Sequence, residues 1–110
     1  MPIVAVGGLM PHPLRLGRFI ALSQDSLKQA SAHPGNLHAA THLFGVRAWS
    51  LTVWQDTAAM QDYARTGAHL QAMREISKVA LASRFHRYPS DVVPSFAEAR
   101  AVWLRAGRAD

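Results

Sequence analysis

The sequence predicts an α+β fold of the ferredoxin-like class, with the order βαββαβ, an antiparallel four-stranded sheet and helices on one face of it. Two observations lead to this class. Strand-like and helix-like periodicities follow one another in the order strand, helix, strand, strand, helix, strand, which is the split βαβ arrangement. The chain has 110 residues, of which 49% are hydrophobic, and this suffices for one domain with its own core. We therefore expect a single domain over residues 1–110.

The first strand and the first helix are predicted from a run of small apolar residues followed by a helical period. Residues 3–9 are apolar and small on both alternating sets, as in a strand that is covered on both faces. From residue 14 to residue 32, apolar side chains recur at steps of three and four, which predicts an amphipathic helix. Pro34 and Gly35 then form the turn that ends it.

A β-hairpin is predicted in the middle of the chain, with strands at 37–44 and 46–55 that pivot at Gly45. The second strand alternates strictly, so Trp49 and Trp54 fall on opposite faces of the sheet. Since large aromatic rings favour burial, both faces should be covered. Helices cover one face, and a second copy of the chain would cover the other, which predicts a homodimer in the form of a dimeric α/β barrel.

Two consecutive helices are predicted after the hairpin. Asp56 or Thr57 caps the first of them, because a short oxygen-bearing side chain can accept a hydrogen bond from the first helical turn. Gly67 ends or kinks this helix, and the second helix is expected to start at Ala68.

A last strand and a C-terminal helix complete the predicted elements. The strand is expected at 81–88, where Pro89 ends it. The helix is expected at 95–104, with Ser95 as its cap. Residues 106–110 should form a frayed tail.

The composition excludes several classes of protein. The chain has no cysteine, which excludes disulfides, thiolate metal sites and a cysteine nucleophile. The net charge of +5 comes from scattered basic residues without a zinc-finger or RNA-binding motif, so we expect no nucleic-acid partner. The N-terminal apolar run lacks a basic start and is too short to cross a bilayer, which predicts a cytoplasmic protein with no membrane partner.

A resemblance to a known family is carried by residues 48–74. The strand at 48–56 ends in Val-Trp before an acidic cap, and residues 59–69 continue with an aromatic helix, a glycine and a histidine. This pattern resembles the dimeric α/β-barrel superfamily, and within it the antibiotic biosynthesis monooxygenases. Residues 82–85 add a weaker similarity to the spheroidene monooxygenases. The resemblance implies monooxygenase activity in a dimeric barrel, and its spheroidene-like part implies haem as a cofactor.

His69 is the candidate catalytic residue. It follows Gly67 and stands one turn before Met73 on the inward stripe of its helix. An imidazole with an ordinary pKa of about 6.5 can remove a proton from a phenolic substrate, and it can also ligate haem iron. The alternative is a structural histidine that hydrogen-bonds where the helix meets the sheet.

The other candidate residues divide into a substrate pocket and a dimer interface. The residues expected to shape an apolar pocket beside His69 are Trp49, Tyr63, Met73 and Phe85. Phe44 and Trp54 are expected at the interface. In cofactor-independent oxygenases of the superfamily an asparagine and a tryptophan can position substrate and oxygen, but Asn36 follows Pro-Gly and is interpreted as a turn residue.

No metal site is predicted. His38 and His42 share one face of a strand, where their side chains are about 13 Å apart, too far for one ion. In a helix they would instead be neighbours at a metal-binding spacing.

Two functions remain open from the sequence. The first is a monooxygenase-like protein that adds oxygen to an aromatic or polyene small molecule in an apolar pocket, with haem or without any cofactor. The second is a non-catalytic dimeric barrel that binds a ligand or serves a structural role.

Overall fold

The computed structural model describes residues 2–109 as one four-stranded sheet with four α-helices. The elements are β1 (Ile3–Pro11), α1 (Leu16–Ala32), β2 (Asn36–Phe44), β3 (Arg47–Trp54), α2 (Thr57–Ala64), α3 (Gly67–Val79), β4 (Ala80–Pro89) and α4 (Phe96–Ala109), with a short 3₁₀ turn (Pro13–Arg15) before α1. The strand order is β2-β3-β1-β4, and all neighbouring strands are antiparallel. The predicted ferredoxin-like class is confirmed.

The register of the sheet sorts the residues of its strands onto two faces. In the pairing of β1 with β3, Val4 lies opposite Val53 and Ala5 lies opposite Thr52. Because side chains alternate along a strand, each such pair defines one face. We call the two faces of the sheet the α4 face, which carries Val4 and Val53, and the pocket face, which carries Ala5 and Thr52.

The helices α1, α2 and α3 cover the pocket face. Near one end of it, Leu9 and Ala48 pack against Phe19 and Leu22 of α1 and Ala72 of α3. A second cluster at the other end consists of Ala30, Trp54, Ala59, Met60 and Tyr63. These three helices correspond to the helical layer that the sequence predicts.

The fourth helix covers the opposite face, so the prediction of helices on one face only, with a second copy of the chain over the other, is wrong in this respect. Ala99 and Trp103 of α4 are buried against Val4, Val6 and the α4-face residues of β3. Ser95 caps the helix as predicted, since its hydroxyl accepts a hydrogen bond from the Glu98 N–H. The helix runs to Ala109, so the expectation of a frayed tail from residue 106 is wrong for the described residues. Asp110 and Met1 lie outside them.

The ends of several elements differ from the sequence prediction by one or two residues. The first strand extends beyond residue 9 to Pro11, because β4 continues to pair with it after a register shift between Met10 and Pro11. Gly45 and Gly67 both adopt a positive φ of 60°. Glycine occupies this conformation without the steric penalty of a Cβ atom, which explains the turn of the hairpin and the break between α2 and α3.

Candidate functional site

A cavity of about 470 Å³ lies between the pocket face and the helices α1 to α3. Its floor is made of small side chains: Ala5 and Gly7 of β1, and Ser50 and Thr52 of β3. Its volume falls in the range of about 300–1,000 Å³ that is typical of small-molecule sites. Because the floor residues are short, the three helices close over a hollow rather than over a filled core.

The structure places four predicted residues together in the wall of this cavity. His69 and Met73 reach it from α3, Tyr63 from α2, and Phe85 from β4. The helical spacing predicted that His69 and Met73 share one stripe, whereas Tyr63 belongs to a different helix. Phe85 joins them because it lies opposite Gly7 in the register of β4 and β1.

Trp49 is not part of the cavity, contrary to the expectation from the sequence. It pairs with Gly8, which puts its ring on the α4 face. There the ring meets Trp103 edge-on, with 4.8 Å between the ring centroids, and Phe96 at 5.9 Å. Trp49 is a core residue under α4.

Trp54, which the sequence assigned to a dimer interface, lies in the cavity wall. It pairs with Ile3 and so belongs to the pocket face, where its side chain is fully buried. Its ring stacks on Tyr63 with 4.7 Å between centroids, and His33 meets it edge-on at 5.3 Å. The assignment of the two tryptophans is therefore reversed relative to the prediction.

Phe44 is found at the end of β2 on the α4 face, opposite Arg47. It is 56% exposed, and its ring lies 5.9 Å from those of His42 and Phe96. Its role in a dimer interface stays a prediction.

The contacts of His69 define its protonation state. Its ring lies over Tyr63 with 4.5 Å between centroids, and its Nδ1 is 3.3 Å from the carbonyl oxygen of Ala64. A carbonyl oxygen only accepts, so Nδ1 must carry the proton, and in the neutral ring Nε2 keeps its lone pair. Burial lowers the pKa of His69 below its ordinary value, so the ring is neutral at neutral pH and Nε2 can accept a proton.

Tyr63 is held in the neutral state. Its hydroxyl donates to the backbone carbonyl of Ser26 at 3.2 Å. Burial raises the pKa of its phenol to about 12. Tyr63 is thus a flat, uncharged surface between Trp54 and His69, and it does not compete with His69 as a base.

Two buried polar atoms in the cavity wall have no hydrogen-bond partner among the described residues. They are Nε1 of Trp54 and Oγ of Ser26, and both residues line the cavity. A buried donor without a partner carries a desolvation penalty of about 1–3 kcal/mol. Both atoms have essentially no accessible surface, so they lie just behind the cavity wall, and a ligand would reach them only after the neighbouring side chains shift.

The charge of the cavity wall is positive. Arg87 on β4 lines it and has no carboxylate within 4.0 Å in the described part of the chain. No aspartate or glutamate lines the cavity. An anionic or electron-rich ligand is therefore favoured over a cationic one.

Two further sequence expectations concern polar residues outside the cavity. Asn36 begins β2, and its amide donates to the carbonyl oxygens of His38 and Val53 at 3.1 and 3.4 Å, so it stabilises the strand ends. His38 and His42 lie on a strand as predicted. Residues 2–109 contain no group of three or more side chains placed to hold a metal ion, and none of their helices is long and apolar enough to cross a membrane.

Comparison with known proteins gives a result at the level of structure only. No protein-family model matches the sequence, and no curated protein matches it. Among solved structures, Rv0793 from Mycobacterium tuberculosis superimposes with a TM-score of 0.77 at 13% identity, over 86% of this chain and 100% of that one. SnoaB, a cofactor-independent oxygenase from Streptomyces nogalater, gives a TM-score of 0.69 at 12% identity, over 86% and 98% of the two chains.

A protein from Nitrosomonas europaea, named after the antibiotic biosynthesis monooxygenases, gives a TM-score of 0.73 at 11% identity, over 82% of this chain and 99% of that one. This chain has the fold of these monooxygenases. The resemblance predicted from residues 48–74 is thereby confirmed for the fold, whereas identities of 11–14% carry no conclusion about activity.

Proposed function

We propose that the protein is a cofactor-independent monooxygenase that oxidises a phenolic, carbonyl-bearing polycyclic aromatic in the cavity of the pocket face. The observation that carries this proposal is the combination, in one apolar cavity, of a neutral imidazole with a free Nε2 and a buried indole N–H without a partner. The first group can remove a proton, and the second can bind the oxygen on which negative charge then accumulates.

His69 is the proposed general base. Burial lowers its pKa below the ordinary value, so the neutral form predominates at neutral pH. The hydrogen bond of Nδ1 to Ala64 holds the tautomer in which Nε2 accepts a proton. A substrate such as 1,8-dihydroxyanthrone has an acidic CH₂ group in its central ring. Removal of one proton from this carbon leaves an electron-rich enolate.

The oxygen chemistry balances without a cofactor because the substrate supplies the electrons. The enolate reduces O₂, one oxygen atom becomes a new carbonyl on the former CH₂ carbon, and the other leaves as water with the two hydrogens of that carbon. The protein's contribution is to deprotonate, to orient and to exclude water.

Trp54 and Ser26 are the proposed binding site for the enolate oxygen. An N–H donor in an apolar, buried setting interacts more strongly with a developing negative charge than it would in water. Stacking of Trp54 on Tyr63 fixes the plane of the indole.

Haem fits this cavity poorly. The cavity wall presents a buried N–H and a buried hydroxyl that need acceptors, whereas a haem offers acceptors only at its propionates. Burying a propionate beside Trp54 would place a charge where no lysine or arginine lines the wall apart from the exposed Arg87. We therefore derive no step through haem.

Oxygen uptake with 1,8-dihydroxyanthrone tests the proposal, measured above the uncatalysed autoxidation rate. We expect the wild-type protein to accelerate uptake and His69→Ala to lower the rate by about 10²–10⁴-fold, as for the loss of a general base. His38→Ala is the matched control, since it removes an exposed histidine from the α4 face. Tight binding of the anthrone with uptake at the autoxidation rate would instead support the non-catalytic, ligand-binding barrel.

We also propose that the protein is a homodimer that pairs through the α4 face around Phe44. Its support is the exposed ring of Phe44 beside His42 and Phe96, because a large aromatic ring gains most from burial in an interface. Light scattering should give the mass of a dimer for the wild type and of a monomer for Phe44→Arg. A wild-type monomer at micromolar concentration would contradict this.

The predicted cytoplasmic location stays a prediction.

A further inference from the structure

One side chain of α1, Gln29, makes three hydrogen bonds to backbone groups at the break between α2 and α3, and a fourth, at 3.4 Å, to the hydroxyl of Thr66. Its amide nitrogen donates to the carbonyl oxygens of Tyr63 at 3.2 Å and Thr66 at 2.9 Å. Its amide oxygen accepts the backbone N–H of His69 at 2.7 Å. The three backbone groups all belong to the segment that joins the proposed base to the aromatic residue beneath it.

The bond to the His69 N–H satisfies a group that the break leaves open. The two carbonyls also accept backbone N–H groups, Tyr63 from Thr66 and Thr66 from Leu70, each at 3.4 Å. The last carbonyls of a helix and the first N–H groups of the next have no partner within their own helices. Glutamine suits both ends at once, because its amide is a double donor and an acceptor. Neither leucine nor lysine at this position could do the same.

The packing at Gly67 shows that the contact is close. A Cβ atom built on Gly67 would lie 3.0 Å from the amide oxygen of Gln29 and 3.1 Å from its amide carbon. Gly67 also has a φ of 60°, a conformation that costs other residues free energy. The backbone of the break is thus shaped to lie directly against this amide.

The same segment decides how the imidazole of His69 is held. Ala64, whose carbonyl takes the Nδ1 proton, is the last residue of α2, and His69 is in the first turn of α3. The geometry of that bond therefore depends on how α2 and α3 are set relative to each other. Gln29 bonds to both sides of the break.

We propose that Gln29 is a positioning residue of the site, which holds the two helices so that His69 stays in the tautomer with Nδ1 protonated and Nε2 free. The inference rests on the proposed role of His69 as the base. Gln29 is not a catalytic residue, since its amide is engaged with backbone groups. Its effect reaches the substrate only through the imidazole.

The tautomer of His69 can be measured without any substrate. In protein labelled with ¹⁵N in its histidines, two-bond nitrogen–proton spectra distinguish a protonated from an unprotonated ring nitrogen. At a pH where the ring is neutral, we expect the wild type to show Nδ1 protonated and Nε2 unprotonated. Gln29→Met, which keeps the length of the side chain and removes its polar atoms, should give a mixture of both tautomers.

Gln71→Met is the matched control. Gln71 lies on α3, the helix that carries His69, and its amide donates at 2.6 Å to Glu75 on the exposed side of that helix. This control should lose stability without changing the tautomer of His69. Gln29→Glu serves as the second variant if Gln29→Met fails to fold, because it keeps an oxygen that can accept the His69 N–H while it loses both donors.

Three outcomes decide the proposal. A mixture of tautomers in Gln29→Met, or in Gln29→Glu when Gln29→Met is unfolded, together with a single tautomer in Gln71→Met, supports it, because both variants lose the bonds to the carbonyls of Tyr63 and Thr66. A single tautomer in the folded Gln29 variant overturns it. If the anthrone is turned over, kcat should fall about tenfold or more in Gln29→Met with little change in KM. If the anthrone is not turned over, the tautomer still decides the role of Gln29, and only the proposed reaction fails.

Discussion

The two faces of the sheet are built from the same strands and have opposite character. On the α4 face, Val4, Val6, Leu51 and Val53 are almost completely buried under α4. On the pocket face, the residues between them in the chain are small, as in Ala5 and Thr52, and they form the floor of a cavity. A single alternation of large and small residues thus gives one face a filled core and the other a hollow.

The two buried indoles show the same contrast in their hydrogen bonds. On the α4 face, Nε1 of Trp103 donates to the carbonyl of Arg84 at 2.9 Å. The guanidinium of Arg84 lies 3.5 Å from the ring centroid and donates to the carbonyl of Trp103 at 2.8 Å. On the pocket face, Nε1 of Trp54 has no partner in the described residues. The indole N–H of the α4 face is therefore satisfied within the protein, whereas that of the pocket face is left without a partner.

The largest difference between the faces should appear when a small residue is enlarged. Ala99→Leu inserts atoms into the filled core under α4, where Ala99 has no exposed surface, and should cost about 1–3 kcal/mol of unfolding free energy. Thr52→Leu adds similar volume to the floor of the cavity and should change that free energy by less than about 0.5 kcal/mol, as for a substitution without strain.

Urea denaturation measures both variants, and binding of the fluorescent probe N-phenyl-1-naphthylamine measures the cavity. Thr52→Leu should abolish probe binding and Ala99→Leu should not. A loss of stability in Thr52→Leu as large as that in Ala99→Leu would show that the hollow is closed in solution.

A second difference is expected when each indole is replaced by a phenyl ring. Trp103→Phe leaves the carbonyl of Arg84 without its donor, which costs about 1–3 kcal/mol more than Trp54→Phe, where no bond is lost. Affinity for the anthrone should respond in the opposite order, with weaker binding only in Trp54→Phe. Equal losses of stability in the two variants would mean that Trp54 has a partner in the free protein.

The smallest effect is expected from pH, and it comes from His69. Because burial lowers the pKa of the folded-state imidazole, the unfolded chain binds its proton more readily, with a pKa of about 6.5. The stabilising contribution of neutral His69 is therefore complete above that value and is lost as the pH falls towards the folded-state pKa.

Melting curves of the wild type and of His69→Ala between neutral and acidic pH measure this contribution as a difference. The two curves should converge as the pH falls, because the contribution of the neutral imidazole is lost. A gap that stays constant with pH would place His69 in a solvated environment.

The order of the elements, both positive-φ glycines and the Ser95 cap could be predicted because each depends on local residues. The helical period also placed His69 and Met73 on one face of α3. The faces of Trp49 and Trp54 could not be assigned, because alternation separates two sets of side chains without telling which set the helices cover. The strand register decides it, through the pairing of Ile3 with Trp54 and of Gly8 with Trp49.

Some residues of the site had no sequence signal that separates them from solvent-facing ones. Ser26 and Gln29 are isolated polar residues on an amphipathic helix, where polar side chains are ordinary at the edge of the apolar stripe. Their roles follow from tertiary contacts with Tyr63, Thr66 and His69, more than thirty residues away. The small residues of the cavity floor did carry a signal, since a run of short side chains on one face predicts poor filling of that face.

The positions of the three tryptophans allow both faces of the sheet to be followed by intrinsic spectroscopy, without a label. Trp49 and Trp103 lie 4.8 Å apart at 81° under α4, a geometry in which two indoles couple their transitions and produce a circular dichroism signal that lasts only while the helix is docked. Trp54 alone borders the cavity, and a ligand that accepts its N–H would shift its emission. In one sample, circular dichroism therefore reports on the packing of the α4 face, and tryptophan emission reports on the cavity of the pocket face.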